Sequence, residues 1–330
     1  MVEHLWQSPD IFRILVPLPD NPLKYLNVYV IRGPVHSLII DTGFNRAECR
    51  KALWDGLEEL KLDFSASSLF LTHLHADHTG LVWDFVERGI PVYMGREDKK
   101  YFDRLAGELI EDQILPDYAK EGFPTDQLAL QMECNQGSVY APAPGFPVIT
   151  VEDGQELSVD GYVLRAICTP GHTPGHMVLY LPKEQLLFSG DHILFDITPN
   201  IITWPEVPHS LSDYVASLQK IRALPIQAVF PAHREGGTDV YQRIDELIEH
   251  HGRRLDEIYQ TVRSHPGCTA YEAAGMIQWS MRGLSWAEFP PSQRWFAMGE
   301  TLAHLAYLTD SRQLFQKSDN GIIRYYPALG

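Results

Sequence analysis

The feature that most constrains this chain is the run His73-Leu74-His75-Ala76-Asp77-His78. It follows directly on Ser68-Leu69-Phe70-Leu71-Thr72, a short apolar segment that reads as a strand. Four potential metal ligands therefore leave one strand end within six residues, and a turning loop can aim all four into one cavity. A single histidine is usually a core or surface residue. Packing does not explain two imidazoles, a carboxylate and a third imidazole at this spacing, so the loop predicts a metal site.

A metal site needs further ligands, and the sequence offers them at other strand ends. Thr169-Pro170-Gly171-His172-Thr173-Pro174-Gly175-His176 follows a strand, and its glycines and prolines permit a tight, pre-set loop. Ser189-Gly190-Asp191-His192 ends another strand and offers the Asp191 carboxylate; Pro231-Ala232-His233 ends a third. His176, at a strand start, suits a buried structural role better than ligation. His192 sits beside Asp191, where a structural role is favoured over contact with substrate. His4, His36, His209, His250, His251, His265 and His304 show no ligand spacing. Thr198-Pro199-Asn200, just after the Asp191 segment, is placed by chain proximity near the pocket.

The rest of the chain has the rhythm of an α/β layer. Strands are expected over Leu26–Arg32 and Ser37–Ile40, a helix over Arg46–Leu60, a helix over Leu81–Arg88 and a short strand over Pro91–Met94. Polar, helical sequence breaks the rhythm from Glu97. Tyr101, Phe102, Leu105, Leu109 and Ile110 make its expected apolar face, and a Pro- and Gly-rich loop closes it. This insertion, about 97–147, suits either packing beside a site or bare surface decoration. Strands return over Ile149–Val151, Tyr162–Ile167, His176–Leu181, Leu186–Ser189 and Ala228–Phe230, with a helix over Ser212–Ala223. The tail changes character: a long helix over Asp239–Ser264, a capping-box start at Thr269-x-x-Glu272, a helix over Pro291–Leu308, and two short strands flanking Asn320-Gly321. Three helices and a hairpin make a winged-helix layout. The expected division is thus a catalytic domain, 1–235, and a winged-helix-like domain, 236–330.

Composition narrows the function. The net charge is −16, from 27 basic and 43 acidic residues, and residues 236–330 are nearly neutral with 9 basic and 11 acidic. Neither part offers the basic surface that a phosphate-binding protein usually shows, which weighs against a nucleic-acid partner. Cys49, Cys134, Cys168 and Cys268 include no CxxC pair, which fits reduced thiols. No apolar run approaches the roughly 18–20 residues of a membrane span, and Met1–Arg13 lacks the pattern of a signal peptide, so a cytoplasmic location is expected.

HxHxDH, then a glycine-flanked histidine, then Gly-Asp, then a late histidine, preceded by Asp41-Thr42-Gly43, resembles the metallo-β-lactamase superfamily over about residues 20–235. The tail resembles the winged-helix appendage of some glyoxalase-II-like and endoribonuclease-like members. The resemblance implies an α/β fold, a four-layer αββα sandwich with the site at one edge of its two sheets. It implies His73, His75 and His172 on a first metal, Asp77, His78 and His233 on a second, and Asp191 bridging them. Imidazole and carboxylate without thiolate suit two zinc ions, with iron and manganese as competitors. Asp41 is implied as the partner of a ligating histidine, with capping of its own turn as the other reading.

Two metals about 3.5–4 Å apart can share a hydroxide and polarise a carbonyl. The expectation is a metal-dependent hydrolase using a metal-bridging hydroxide on a thioester or other acyl ester, with Asp77 orienting the nucleophile or shuttling its proton. The alternative is a phosphodiesterase or endoribonuclease on single-stranded RNA. An iron-dependent redox relative fits less well, because the chain has no evident flavin or rubredoxin-like segment, and a non-catalytic binder fits poorly with a complete ligand set. The apolar faces of the tail suit either a homodimer or packing on the chain's own catalytic domain.

Overall fold

A computed structural model describes residues 2–105, 113–128, 135–207, 209–279 and 284–328. Two sheets form its centre. The first has seven strands in chain order: β1 (Val2–Gln7), β2 (Asp10–Pro17), β3 (Tyr25–Arg32), β4 (Ser37–Ile40), β5 (Ser67–Leu71), β6 (Val92–Gly95) and β7 (Ile149–Val151). Pairing is antiparallel from β1 to β4 and parallel from β4 to β7. The second sheet holds β8 (Glu156–Val159), β9 (Tyr162–Cys168), β10 (Met177–Leu181), β11 (Leu186–Gly190) and β12 (Ala228–Pro231), with β12 beside β11 and parallel to it.

Successive strand side chains point to opposite faces, and here both faces are apolar. In β3, Leu26, Val28 and Val30 pack outward against helix α1 (Ala47–Glu59), while Tyr29 and Ile31 point between the sheets. In β5, Leu69 and Leu71 face outward and Phe70 inward. The second sheet mirrors this. Leu179 and Leu181 of β10 meet the first sheet, and Val178 and Tyr180 meet an outer helix pair. The outer helices are α1, the short α2 (Ala76–Thr79) and α3 (Val82–Val86) on one side, and two longer helices, numbered below, on the other. The result is the expected four-layer αββα sandwich.

The insertion contributes α4 (Arg96–Leu105), α5 (Leu115–Lys120) and α6 (Gln136–Val139). Tyr101 and Phe102 of its expected apolar face are buried against the first sheet, whereas Leu109 and Ile110 lie outside the described residues. Tyr118, Phe123 and Leu128 are buried in a different cluster, that of the tail. The insertion is therefore no surface decoration: it packs between two cores.

The second-sheet helices are α7 (Ser210–Arg222) and α8 (Val240–Ser264). Asp239 caps α8 by accepting from the backbone N–H groups of Tyr241 and Gln242. Val240, Ile244 and Leu247 of α8 sit on the second sheet, and Ile258 and Val262 sit in the tail cluster, so one helix serves both cores. The tail continues with α9 (Ala270–Met276), opened by the Thr269–Glu272 capping box, then α10 (Pro291–Asp310) and the hairpin β13 (Leu314–Asp319)–β14 (Ile322–Pro327). Asn320 and Gly321 turn that hairpin with positive φ at both positions. The tail packs on the chain's own sandwich layers: Ala303 joins the second-sheet core and His209 bonds Asp310 at 2.6 Å. Cys49, Cys168 and Cys268 are free thiols, and no helix among the described residues is long and apolar enough to cross a membrane.

Candidate metal centre

Strand direction gathers the site. β9, β11 and β12 run the same way, as do β4 and β5 in the other sheet, and their carboxyl ends meet at one edge. Asp41 leaves β4, His73 and His75 leave β5, His172 leaves β9, Asp191 leaves β11 and His233 leaves β12. Asp77 and His78 ride on α2, the single turn after the β5 loop. Two glycines make this crowding feasible. Gly171 has φ +137°, and a Cβ there would lie 2.4 Å from Tyr214 Cβ on α7; a Cβ on Gly190 would lie 2.7 Å from His176 Nε2.

All seven sequence-derived candidates come together. His75 Nδ1 lies 2.9 Å from His73 Nε2 and 3.1 Å from His172 Nε2. His233 Nε2 lies 3.3 Å from Asp77 Oδ2 and 3.4 Å from Asp191 Oδ1; His78 Nε2 lies 3.6 Å from Asp191 Oδ1. Asp191 Oδ2 lies 3.5 Å from His172 Nε2, so its two oxygens face the two halves of the cluster. Donor atoms about 2.0–2.2 Å from one tetrahedral zinc are about 3.3 Å apart, so this spacing suits a cation. His78 Nε2, His233 Nε2 and Asp191 Oδ1 are buried without a hydrogen-bond partner. Buried polar atoms are rarely left so, and a cation among them would satisfy all three. The donor set thus fits divalent metal, as the groups His73–His75–His172 and Asp77–His78–His233.

For three of these histidines the remaining ring nitrogen is fixed by a bond to an acceptor. His172 Nδ1 donates to the Asn200 carbonyl at 2.8 Å and His233 Nδ1 to the Tyr25 carbonyl at 3.0 Å, leaving each Nε2 lone pair toward the cluster. His78 Nδ1 donates to Asp41 Oδ2 at 2.8 Å, while Asp41 Oδ1 accepts from the Thr72 backbone N–H at 2.8 Å. Asp41 therefore orients a candidate ligand, and it does so from a left-handed backbone, φ +65°.

Electrostatics divides the cluster. Burial, reinforced by the neighbouring histidines, lowers His73, His75 and His172, with His75 falling to about 3, so these three present neutral lone pairs. Burial also works against charge on His78, but Asp41, Asp77 and Asp191 outweigh it and raise His78 to about 10. Asp191 and Asp77 likewise raise His233 against its burial. Asp77 is held below the usual carboxylate range: burial opposes this, but His78 and His233 prevail.

His176 has the structural role expected of it. It is fully buried, its Nδ1 lies 2.8 Å from Thr169 Oγ1, and its Nε2 accepts from the Asp191 backbone N–H at 3.1 Å. His192 is also buried, packed on Tyr214 and absent from the walls of the cleft described below. Sequence reasoning missed Asp98. Its buried carboxylate accepts from the Leu74 N–H at 2.9 Å, the Gly175 N–H at 2.5 Å and the Thr173 hydroxyl at 2.7 Å. It therefore ties the HxHxDH loop to the His172 loop. As one acid among many in a polar insertion, it carried no signal of that role.

The cluster opens into a cleft of about 1250 Å³. Thr198, Pro199 and Asn200 line it, as chain proximity suggested, together with Trp204, whose indole donates to the His172 carbonyl at 3.3 Å. Insertion residues Phe102 and Tyr118 and tail residues Trp295 and Phe296 line it too. No lysine or arginine does so among the described residues.

Four layers with a histidine–carboxylate cluster at one edge of both sheets define an α/β sandwich with a candidate metal site. The profile of the metallo-β-lactamase superfamily matches residues 23–233, well over half the chain, and the chain belongs to that superfamily. A profile described as the metallo-β-lactamase-like C-terminal domain matches residues 255–328. The chain is 29% identical over 274 residues to a protein named beta-lactamase-like protein 2 homolog from Caenorhabditis elegans, covering 80% of this chain and 77% of that one. It is 28% identical over 252 residues to an atrochrysone carboxyl ACP thioesterase of Aspergillus fumigatus, covering 76% of this chain and 64% of the fungal one. A metallo-β-lactamase family protein from Thermus thermophilus superposes with a TM-score of 0.81 at 29% identity, over 96% of this chain and 98% of the other.

Proposed function

We propose that this chain is a metal-dependent hydrolase of thioesters or related acyl esters. In this reading His73, His75 and His172 hold one divalent cation, Asp77, His78 and His233 hold a second, and Asp191 lies between them. Zinc suits these donors best, with iron and manganese as competitors. Divalent cations held there supply Lewis acidity toward a carbonyl and a water acidified toward neutral pH. The residues do the rest. Asp77 lines the cleft and is kept ionised, so its Oδ2 can accept a hydrogen bond from a water and orient it beside the reacting carbonyl. Asp41, Asn200 and Tyr25 keep His78, His172 and His233 aimed at the site.

The observation that carries the acyl reading is the cleft itself: walls that mix apolar side chains with acidic and uncharged polar ones, and no lysine or arginine among the described lining residues. A phosphodiester or RNA backbone would find no cationic side chain there, whereas an acyl group needs none. The name of the fungal relative, a carboxyl ACP thioesterase, supports the same choice. The test is thiol release from a panel of acyl thioesters by zinc-loaded protein, beside Asp191→Ala and Asp77→Asn. Turnover is expected from the parent, with loss in Asp191→Ala and a large fall in kcat in Asp77→Asn. Metal-loaded protein that cleaves short single-stranded RNA and no thioester would overturn the reading.

A further inference from the structure

The histidine–carboxylate cluster and the tail line the same cleft. Trp295, Phe296 and Leu302 of α10 line the same cavity as His75, Asp77 and Asp191. We propose that α10 is the acyl-selecting wall of the active site and that the acyl group it receives is large, apolar and uncharged. This rests on the acyl-hydrolase reading above.

Three observations carry it. First, the wall is closely packed. Trp295 stacks on Tyr118 of the insertion, rings 3.8 Å apart and 11° from parallel. One turn on, a Cβ at Gly299 would lie 2.7 Å from both Ile202 Cγ2 and Tyr118 Oη. The helix backbone therefore approaches the 197–204 loop as closely as glycine permits, and that loop also holds His172 through Asn200. The position of α10 thus sets the width of the cleft next to a candidate ligand. Second, Phe296 is 41% exposed although it lines the cleft, one of few large apolar residues so placed among the described residues. Its exposed face is apolar area that a bound acyl chain would cover. Third, the charge pattern is one-sided. Asp20, Glu206 and Asp310 line the cleft, and no described lining residue is a lysine or arginine. An acyl group ending in a carboxylate would be desolvated there without a partner. The cavity, about 1250 Å³, also exceeds the roughly 300–1,000 Å³ common for small-molecule sites, so it has room for a long or multi-ring acyl group.

The experiment uses the full, zinc-loaded chain and straight-chain acyl thioesters of N-acetylcysteamine, whose thiol part is uncharged, from acetyl to dodecanoyl. Burying each added methylene should raise kcat/KM by about fourfold until the wall is reached. An ω-carboxylate on a chain of the same length should lower it at least about tenfold. Phe296→Ala should shrink the dodecanoyl-to-acetyl ratio, and Phe296→Lys should improve the ω-carboxylate substrate relative to its apolar counterpart. That last change is a gain, which misfolding cannot mimic. Thioesters cleaved with no dependence on chain length or end charge, and ratios unmoved in both variants, would overturn the inference and leave the hydrolase reading standing. No thioester cleaved by metal-loaded protein would overturn both.

Discussion

Asp98 shows how much a single residue outside the ligand set can matter. Its carboxylate joins the two loops that carry His73, His75 and His172, and each bond it accepts comes from a buried donor. Asp98→Ala would leave the Leu74 and Gly175 N–H groups unpaired, at about 1–3 kcal/mol each. The expected outcome is a markedly lower melting temperature together with zinc affinity reduced about 10–100-fold, read by competition with a chromophoric chelator. Unchanged zinc affinity would show that the two loops hold their geometry without it. Glu121 gives a pH-dependent case away from the cluster. Burial pushes its carboxyl up to about 7, the Tyr325 hydroxyl opposes the push, and Asp117 adds to it. The folded state therefore favours the neutral acid. That contribution is complete below the ordinary glutamate pKa and is lost as pH rises through about 7. Glu121→Gln cannot ionise, so its melting temperature should gain on the parent between about pH 5 and pH 8. An identical difference at both pH values would refute this.

At the scale of elements, close approach of loops to helices decides what is tolerated. The 169–176 loop must pass α7 so tightly that position 171 has no room for a side chain, and its φ of +137° is unfavourable for any residue with a Cβ. Gly171→Ala is expected to destabilise the fold by more than about 2 kcal/mol and to displace His172, measured by denaturant unfolding and by zinc stoichiometry. Native stability with full zinc loading would contradict it. The strands from β3 onward were mostly legible as β-branched and apolar runs. β1, β2 and β8 were not. β1 and β8 are sheet edges with exposed positions mixed among partly buried ones, so neither shows a clean apolar run. β2 is interior, but Arg13 interrupts its pattern. Arg13 is buried because Glu3 and Glu235 pair with it at 2.6 and 2.8 Å, and Glu235 follows β12, the last strand of the sandwich. A partner 222 residues away cannot be read from local sequence.

At the scale of the whole molecule, one helix joins the two cores. The amino-terminal half of α8 covers the second sheet, its carboxyl-terminal half covers the tail cluster, and the insertion completes that cluster with Tyr118 and Phe123. Loading the cluster with metal should stabilise this joined structure by linkage, because a site assembled from separate strand ends and α2 does not survive unfolding. Zinc at about 100 times its Kd would add about 2.7 kcal/mol, so the melting temperature should rise with zinc and fall with chelator. A melting temperature indifferent to both would count against a metal at these seven side chains.

The sequence alone marked the candidate ligands and most of the strands, because the HxHxDH spacing and strand periodicity are local properties of the chain, and the order of its motifs carried the family resemblance that implied the layered fold. It also marked the capping box at Thr269 and the Asn320-Gly321 turn, each written in a few adjacent residues. Only the tertiary structure decided that Asp98 would lock two loops, that His78 is the histidine Asp41 orients and that His176 would hold the Asp191 backbone. It alone made the insertion and the tail into walls of one cleft. Those outcomes depend on residues that lie far apart in the chain and meet only in the fold. Such meetings are set by the packing of two sheets and a shared helix, and no window of sequence contains them.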